Sequence, residues 1–169
     1  MKKKNNSSIY IIEDDPLYLN AIEFFLRHNA NPALGIESFS NGGDCLSQVR
    51  THVPDIVLLG YEASPPGGIN GIGILKMLKV LNKDTEVIML SSHKELEIAV
   101  DCVRSGAYDY IVKNESAFLR LRHQINLILY NIDLRKKRSL FVAWNLGLAA
   151  AFMIFFLTLI LYAFNHPAA

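Results

Sequence analysis

Short runs of consecutive apolar residues, separated by longer amphipathic stretches, constrain the fold of this chain most strongly. The runs cover residues 9–12, 56–59, 87–90 and 110–112, and a weaker one lies around residues 36–39. Strands that are apolar at successive positions are typical of a parallel sheet that helices cover on both faces. The order of strand and helix repeats five times. We therefore predict an α/β fold with a five-stranded, parallel, doubly wound sheet.

Start and stop signals frame the predicted helices. Asp15 followed by Pro16 is a favourable cap and first-turn pair, which predicts a helix running to about His28. A second helix is predicted to end at Gly106. Its apolar residues recur at helical spacing and are Leu96, Ala99, Val100 and Val103.

The stretch of residues 140–164 is apolar and uncharged, because all 17 basic and 16 acidic side chains of the chain precede Ser139. A helix of this length would extend about 37 Å, which is enough to span a bilayer with some tilt. A basic cluster at residues 135–138 directly precedes it and predicts that the amino-terminal domain faces the cytoplasm. Since no Gly or Pro lies between Gly106 and Gly147, the last helix of the domain is expected to continue into this segment without a break.

The predicted organisation has five parts. Residues 1–7 form a flexible leader, 8–134 the α/β domain, 135–139 a basic juxtamembrane segment, 140–164 a transmembrane helix and 165–169 a short tail. We expect a single-pass membrane protein. Cys45 and Cys102 lack metal-ligand spacing, which predicts small buried side chains in a reducing compartment. No basic patch with interleaved aromatics occurs, so no nucleic-acid partner is expected.

Polar side chains follow three of the predicted strands. The first strand ends in Glu-Asp-Asp at residues 13–15, the fourth in Ser91 and Ser92, and the fifth in Lys113. Adjacent carboxylates repel each other unless a cation is near, and Mg²⁺ is a natural partner for such oxygens. An acidic turn that caps a helix is the simpler explanation when residues 13–15 are considered alone.

In these motifs the chain resembles the receiver domain of two-component response regulators, across about residues 8–134. The matching segments agree in order, spacing and placement at strand ends; they are residues 13–15, 54–59, 71–75, 87–92 and 106–113. The resemblance implies a phosphorelay in which a histidine kinase phosphorylates an aspartate at the end of the third strand. It also implies that acids hold Mg²⁺, that a hydroxyl and a lysine contact the phosphoryl group, and that an aromatic side chain reports the switch.

Mapped by motif, Asp14 and Asp15 occupy the metal positions, Ser91 the hydroxyl position, Lys113 the lysine position and Tyr110 the aromatic position. These five residues are the receiver pocket that the resemblance implies. In the alternative arrangement Lys113 pairs directly with Asp14, and no Mg²⁺ is needed to neutralise the pocket.

The chain departs from the family at the centre of the pocket, because Gly60 ends the third strand where the family has its phosphoacceptor aspartate. Glycine has no nucleophile, so an aspartyl phosphate cannot form at this position. The loop of residues 61–70 is longer than usual, with Pro-Pro and Gly-Gly pairs, and Asn114 replaces a common proline. Glu62 either enters the pocket as a fixed negative charge or is a solvated loop residue.

These observations predict a degenerate receiver that is not an enzyme. It would be a membrane-anchored signalling module that works by protein–protein contact without phosphorylation. Two alternatives stay open: a receiver phosphorylated at an unorthodox residue such as Glu62 or Ser64, and a structural subunit of a membrane assembly. The expected partners are the membrane and a signalling protein, either a histidine kinase or another membrane component.

Two patterns within residues 118–156 favour a homodimer. One is an apolar stripe at a/d spacing, which is equally expected if the helix covers the domain core; it comprises Phe118, Leu121, Ile125, Ile128 and Ile132. The other is a set of small residues at every fourth position that would let two membrane helices approach closely; it comprises Ser139, Ala143, Gly147 and Ala151.

Overall fold

A computed structural model describes the backbone of residues 7–29, 34–63 and 68–165. The side chains of residues 139–143, 146 and 159–165 lie outside the described set. The chain divides into two compact units, Met1–Ile128 and Leu129–Ala169.

The first unit contains a parallel five-stranded sheet with the order β2-β1-β3-β4-β5. Its strands are β1 (Ser8–Ile12), β2 (Gly35–Phe39), β3 (Ile56–Gly60), β4 (Glu86–Ser91) and β5 (Asp109–Val112). The predicted α/β fold and the five parallel strands are thus confirmed.

Burial explains why some strands are apolar at every position and others at only a few. All five residues of β3 are buried, and in β4 only the first residue is partly exposed. The edge strand β2 has no buried residue, and its exposed positions include Gly35 and Glu37. A strand at the edge of the sheet has fewer covering neighbours, so its sequence needs fewer consecutive apolar residues.

The helices are α1 (Pro16–Asn29), α2 (Gly42–Val49), α3 (Gly71–Leu81), α4 (Leu96–Arg104) and α5 (Ala117–Asn165). The predicted start of α1 is confirmed, because the Leu17 N–H donates to Asp15 Oδ1 at 2.9 Å. The end of α4 is also confirmed. Gly106 follows it with a φ of 101°, a left-handed backbone conformation that residues other than glycine rarely adopt.

The apolar stripe that predicted α4 lies largely on the exposed side of that helix. Leu96 is 76% exposed and Val103 is 55% exposed, whereas Cys102 is completely buried. The stripe gave the correct helical period but did not mark the face that packs on the sheet. It leaves an apolar surface on α4.

Within the first unit, the a/d stripe at the start of α5 covers the core of its own domain. Leu121, Ile125 and Ile128 are each no more than 2% exposed. The Phe118 ring packs at 5.1 Å from the ring of Phe25 on α1. The prediction of a dimer contact is therefore wrong at these buried positions. Their side chains pack inside their own domain and leave no surface for a second copy.

In the second unit, helix α5 continues to Asn165, as the absence of Gly and Pro before Gly147 predicted. Among the described residues, no helix combines the length and the hydropathy that crossing a membrane requires. Part of the predicted span, at residues 140–143, 146 and 159–164, lies outside the side chains that the structure describes.

The burial predicted for the two cysteines is confirmed. Cys45 and Cys102 are buried and form no disulfide. Burial raises the pKa of the Cys45 thiol to about 12 and that of the Cys102 thiol to about 11. Both side chains therefore behave as small core residues and not as nucleophiles.

Candidate functional site

The carboxyl ends of four strands meet at one edge of the sheet. In the strand register Ile12 pairs with Leu59, Gly60 with Leu90, and Ser91 with Val112. The residues that follow these positions therefore come together, as is usual for ligand sites in open parallel sheets.

An ion pair between Glu13 and Lys113 forms the floor of this pocket. Lys113 Nζ lies 2.8 Å from Glu13 Oε1, and the Glu13 side chain is completely buried while that of Lys113 is 14% exposed. The ammonium also lies 4.8 Å from the centre of the Tyr18 ring, a favourable distance for a cation over an aromatic face. Burial raises the pKa of the Glu13 carboxyl, and Lys113 offsets only part of that effect.

Asp14 and Asp15, the predicted metal positions, are both exposed. Asp15 caps α1 through its carboxylate, and its backbone N–H donates to Glu13 Oε1 at 3.3 Å. Glu13 is thus the pocket acid that the motif mapping missed. The available signal was its position as the first polar residue after the buried run of β1. Lys113 pairs with Glu13 and not, as the alternative arrangement had it, with Asp14.

Glu62 occupies the centre of the pocket. Its Oε1 accepts hydrogen bonds from the Ser91 hydroxyl at 2.9 Å and from the Ser92 backbone N–H at 3.0 Å. Its Oε2 lies 3.7 Å from Lys113 Nζ. Of the two alternatives for Glu62, the structure has the one in which the carboxylate enters the pocket. Burial alone would raise the pKa of Glu62, but the hydrogen bonds from Ser92 and Ser91 and the charge of Lys113 outweigh it, and the pKa is lowered.

A tight turn of residues 60–63 directs Glu62 towards β4. The Ala63 N–H donates to the Gly60 carbonyl at 3.2 Å, and the Ala63 side chain is fully buried. Gly71, the first residue of α3, packs directly against this turn. A Cβ at Gly71 would lie only 2.7 Å from the Tyr61 carbonyl oxygen, so only glycine permits this close approach.

Gly60 has no side chain at the position where the resemblance implies an acceptor, and little space remains in front of it. A Cβ built there would lie 3.1 Å from both Ala63 Cβ and Glu13 Oε2. A larger side chain would therefore push against the 60–63 turn and bring any added carboxylate next to Glu13.

Tyr110 is connected to the pocket through the loop after β4. It is 8% exposed, and its hydroxyl donates to the His93 carbonyl at 2.9 Å. The His93 N–H in turn donates to Ser91 Oγ at 3.1 Å. Of the five residues mapped by motif, the structure thus brings together Ser91, Tyr110 and Lys113.

The donor set does not fit the Mg²⁺ ion that the resemblance implies. Over the part of the chain that the structure describes, no three His, Cys, Asp or Glu side chains gather as metal ligands. Gly60 supplies no oxygen from a side chain, Glu13 is paired with Lys113, and Asp15 caps a helix. Mg²⁺ in proteins is bound through one or two carboxylates and completes its octahedral shell with water, whereas Glu13 and Asp15 already bind Lys113 and the start of α1.

Comparison with known proteins agrees with the fold. The response regulator receiver domain family matches residues 9–132. Because this match covers most of the chain, the chain belongs to the response regulator receiver domain family.

Two curated relatives are larger proteins. The transcriptional regulatory protein ZraR of Escherichia coli K12 is 31% identical over 110 residues, which cover 64% of this chain and 23% of ZraR. The DNA-binding transcriptional regulator NtrC of Salmonella typhimurium LT2 is 28% identical over 105 residues, covering 62% of this chain and 21% of NtrC. The matched region spans less than a quarter of either relative.

Solved receiver domains share the fold. The receiver domain of the Francisella response regulator 1452 superimposes with a TM-score of 0.65 at 23% identity, covering 75% of this chain and 99% of that one. The receiver domain of NtrX from Brucella abortus gives a TM-score of 0.64 at 24% identity, covering 72% and 98%.

Proposed function

We propose that this protein is a membrane-anchored pseudo-receiver that signals by protein–protein contact without being phosphorylated. The observation that carries the proposal is the end of β3, where Gly60 offers no nucleophile. The small space in front of Gly60 is bounded by Ala63 and by a buried Glu13 oxygen. This position has no carboxylate that could accept a phosphoryl group, and it has no space for an aspartyl phosphate.

The contact function is supported by the exposed apolar surface of α4. Leu96, Val100 and Val103 project from a helix that begins directly after the loop of the pocket. Apolar side chains exposed together on one helix favour a site for a partner protein. The partner we propose is a signalling protein of the same membrane, either a histidine kinase or another membrane component. We propose no nucleic-acid contact, because the sequence contains no basic patch with interleaved aromatic residues.

Membrane anchoring is supported by the uncharged carboxy-terminal stretch after the basic cluster at residues 135–138. Among the described side chains, Trp144, Leu148 and all six at positions 152–157 are apolar and more than half exposed. Such a surface needs a lipid or protein cover. The amino-terminal unit would then lie on the cytoplasmic side.

We also propose that two copies of the protein associate through the small residues of α5. Apart from its chain neighbours and the backbone of its own helix, Gly147 has no described atoms within 4 Å of the position that a Cβ would take, so its face is open to a close neighbour. Ser139 and Ala143 of the same set lie outside the described side chains.

The proposal is tested by capturing partners of the tagged full-length chain from solubilised membranes, with and without acetyl phosphate and Mg²⁺. We expect the same partner in the same amount under both conditions, by quantitative mass spectrometry. A partner that binds only after acetyl phosphate is added, or the absence of any specific partner, would contradict the proposal.

A further inference from the structure

Three groups at the carboxyl edge of the sheet form an oxyanion site. The Ser91 hydroxyl, the Ser92 backbone N–H and the Lys113 ammonium come from the end of β4, the loop after it and the position after β5. The two donors bind Glu62 Oε1 and the ammonium lies 3.7 Å from Oε2, and two neutral donors with one cation around the same carboxylate favour a negatively charged oxygen ligand. In this chain all three contact the carboxylate of Glu62.

We propose that Glu62 is a permanent internal ligand of this oxyanion site and that it holds the β4–α4 loop in one conformation. The inference rests on the proposed function, because it assumes that no phosphoryl group competes for the site. A carboxylate two residues after the missing acceptor thus supplies the negative charge that a covalent modification would otherwise bring.

The Glu62 carboxylate is held too firmly to be a solvated loop residue. Its side chain is 29% exposed, and Oε2 is buried away from solvent without a hydrogen-bond donor of its own. Ordering a flexible glutamate costs conformational entropy, which contacts to several fixed groups offset here. The turn that presents it makes a further contact with the loop after β4, since the Tyr61 ring meets the His93 ring edge-on at 5.7 Å.

A continuous path of hydrogen bonds connects Glu62 to Tyr110. The Ser91 hydroxyl donates to Glu62, the His93 N–H donates to Ser91 Oγ, and the Tyr110 hydroxyl donates to the His93 carbonyl. Removing Glu62 removes the acceptor at one end of this path. The loop of residues 92–95, which leads from β4 into α4, then loses this contact.

Amide hydrogen exchange of the full-length chain, measured by mass spectrometry, tests the inference. Exchange at Ser92 and His93 is expected to be slow in the wild type and about tenfold faster in Glu62→Ala, because local opening then costs less free energy. Glu95→Ala is the matched control. Its carboxylate lies 3.4 Å from His93 Nδ1 on the same loop but is 62% exposed and outside the pocket, so exchange should stay at the wild-type rate.

A second variant and an added anion keep the test decisive. Glu62→Gln retains size and a carbonyl acceptor but loses the charge, and exchange should be about threefold faster. In Glu62→Ala, inorganic phosphate should restore slow exchange at Ser92, whereas chloride at equal ionic strength should not. Unchanged exchange in both Glu62 variants, or no effect of phosphate, would overturn the inference. A different result would contradict the proposed function, namely partner binding that requires acetyl phosphate. The two proposals can therefore fail independently.

Discussion

At the scale of single residues, Lys113 lies between two carboxylates, that of Glu13 at 2.8 Å and that of Glu62 at 3.7 Å. The first is completely buried, and the second reaches the pocket from a turn. One cation thus stabilises both charges. The pocket depends on all three side chains, because a buried carboxylate without a partner is strongly unfavourable.

Lys113→Met should lower the free energy of unfolding by about 3–5 kcal/mol, because it leaves Glu13 as an uncompensated buried charge. Urea unfolding followed by near-ultraviolet circular dichroism measures the change. Lys94→Met, at an exposed lysine after β4, should stay within about 0.5 kcal/mol of the wild type. The double variant Glu13→Gln with Lys113→Met should regain part of the loss. Equal effects of the two lysine substitutions would contradict the ion pair as described.

Glu62→Gln should make the stability less sensitive to acid. The pKa of Glu62 is lowered in the folded state, so its contribution is fully present above the ordinary glutamate value of about 4.3 and is lost as the pH falls through the folded-state pKa. Unfolding midpoints in urea between about pH 6 and pH 3 should therefore fall more steeply for the wild type than for Glu62→Gln. Parallel curves would show that Glu62 does not accept these hydrogen bonds in solution.

At the scale of elements, the apolar runs predicted the strands and the sheet because each central strand is buried on both faces. The pocket was less accessible to prediction. The motif placed Asp15 in it, but a local hydrogen bond at the start of α1 uses that carboxylate, and Glu13 takes the buried position. The position of Glu62 depends on the 60–63 turn and its contact with Gly71, which no local pattern shows.

The exposed face of α4 gives a prediction at the same scale. Leu96→Glu together with Val103→Glu should reduce partner capture at least severalfold, since charges replace apolar contact surface, while the fold stays intact because both side chains are exposed. Leu17→Glu is the control, at a residue of α1 that is 81% exposed. If the control reduces capture equally, or the α4 variant leaves it unchanged, this face is not the contact surface.

At the scale of the whole molecule, the family match ends at residue 132, so the second unit lies almost entirely outside it. The second unit, with its exposed apolar side chains, therefore becomes the means by which the domain is localised in the proposed function. Placement beside a membrane raises the local concentration of membrane-bound partners, so a modest contact surface is sufficient.

The full-length chain should sediment with membranes and stay there in a high-salt wash, because apolar burial in lipid does not depend on ionic strength. A chain that ends at Arg138 should appear in the supernatant. Ultracentrifugation and immunoblotting of both forms measure this. Release of the full-length chain by salt would show that only the basic cluster at residues 135–138 holds it to the membrane.

The account rests most heavily on the absence of phosphoryl transfer to this pocket. The full-length chain is incubated with Mg²⁺ and acetyl phosphate, beside a receiver domain that has an acceptor aspartate as the positive control, and intact masses are recorded before hydrolysis. We predict no gain in mass for this chain, because Gly60 has no nucleophile and Glu62 is bound to Ser91, Ser92 and Lys113. A mass increase of one phosphoryl group that maps to an acidic residue of the pocket would contradict the account.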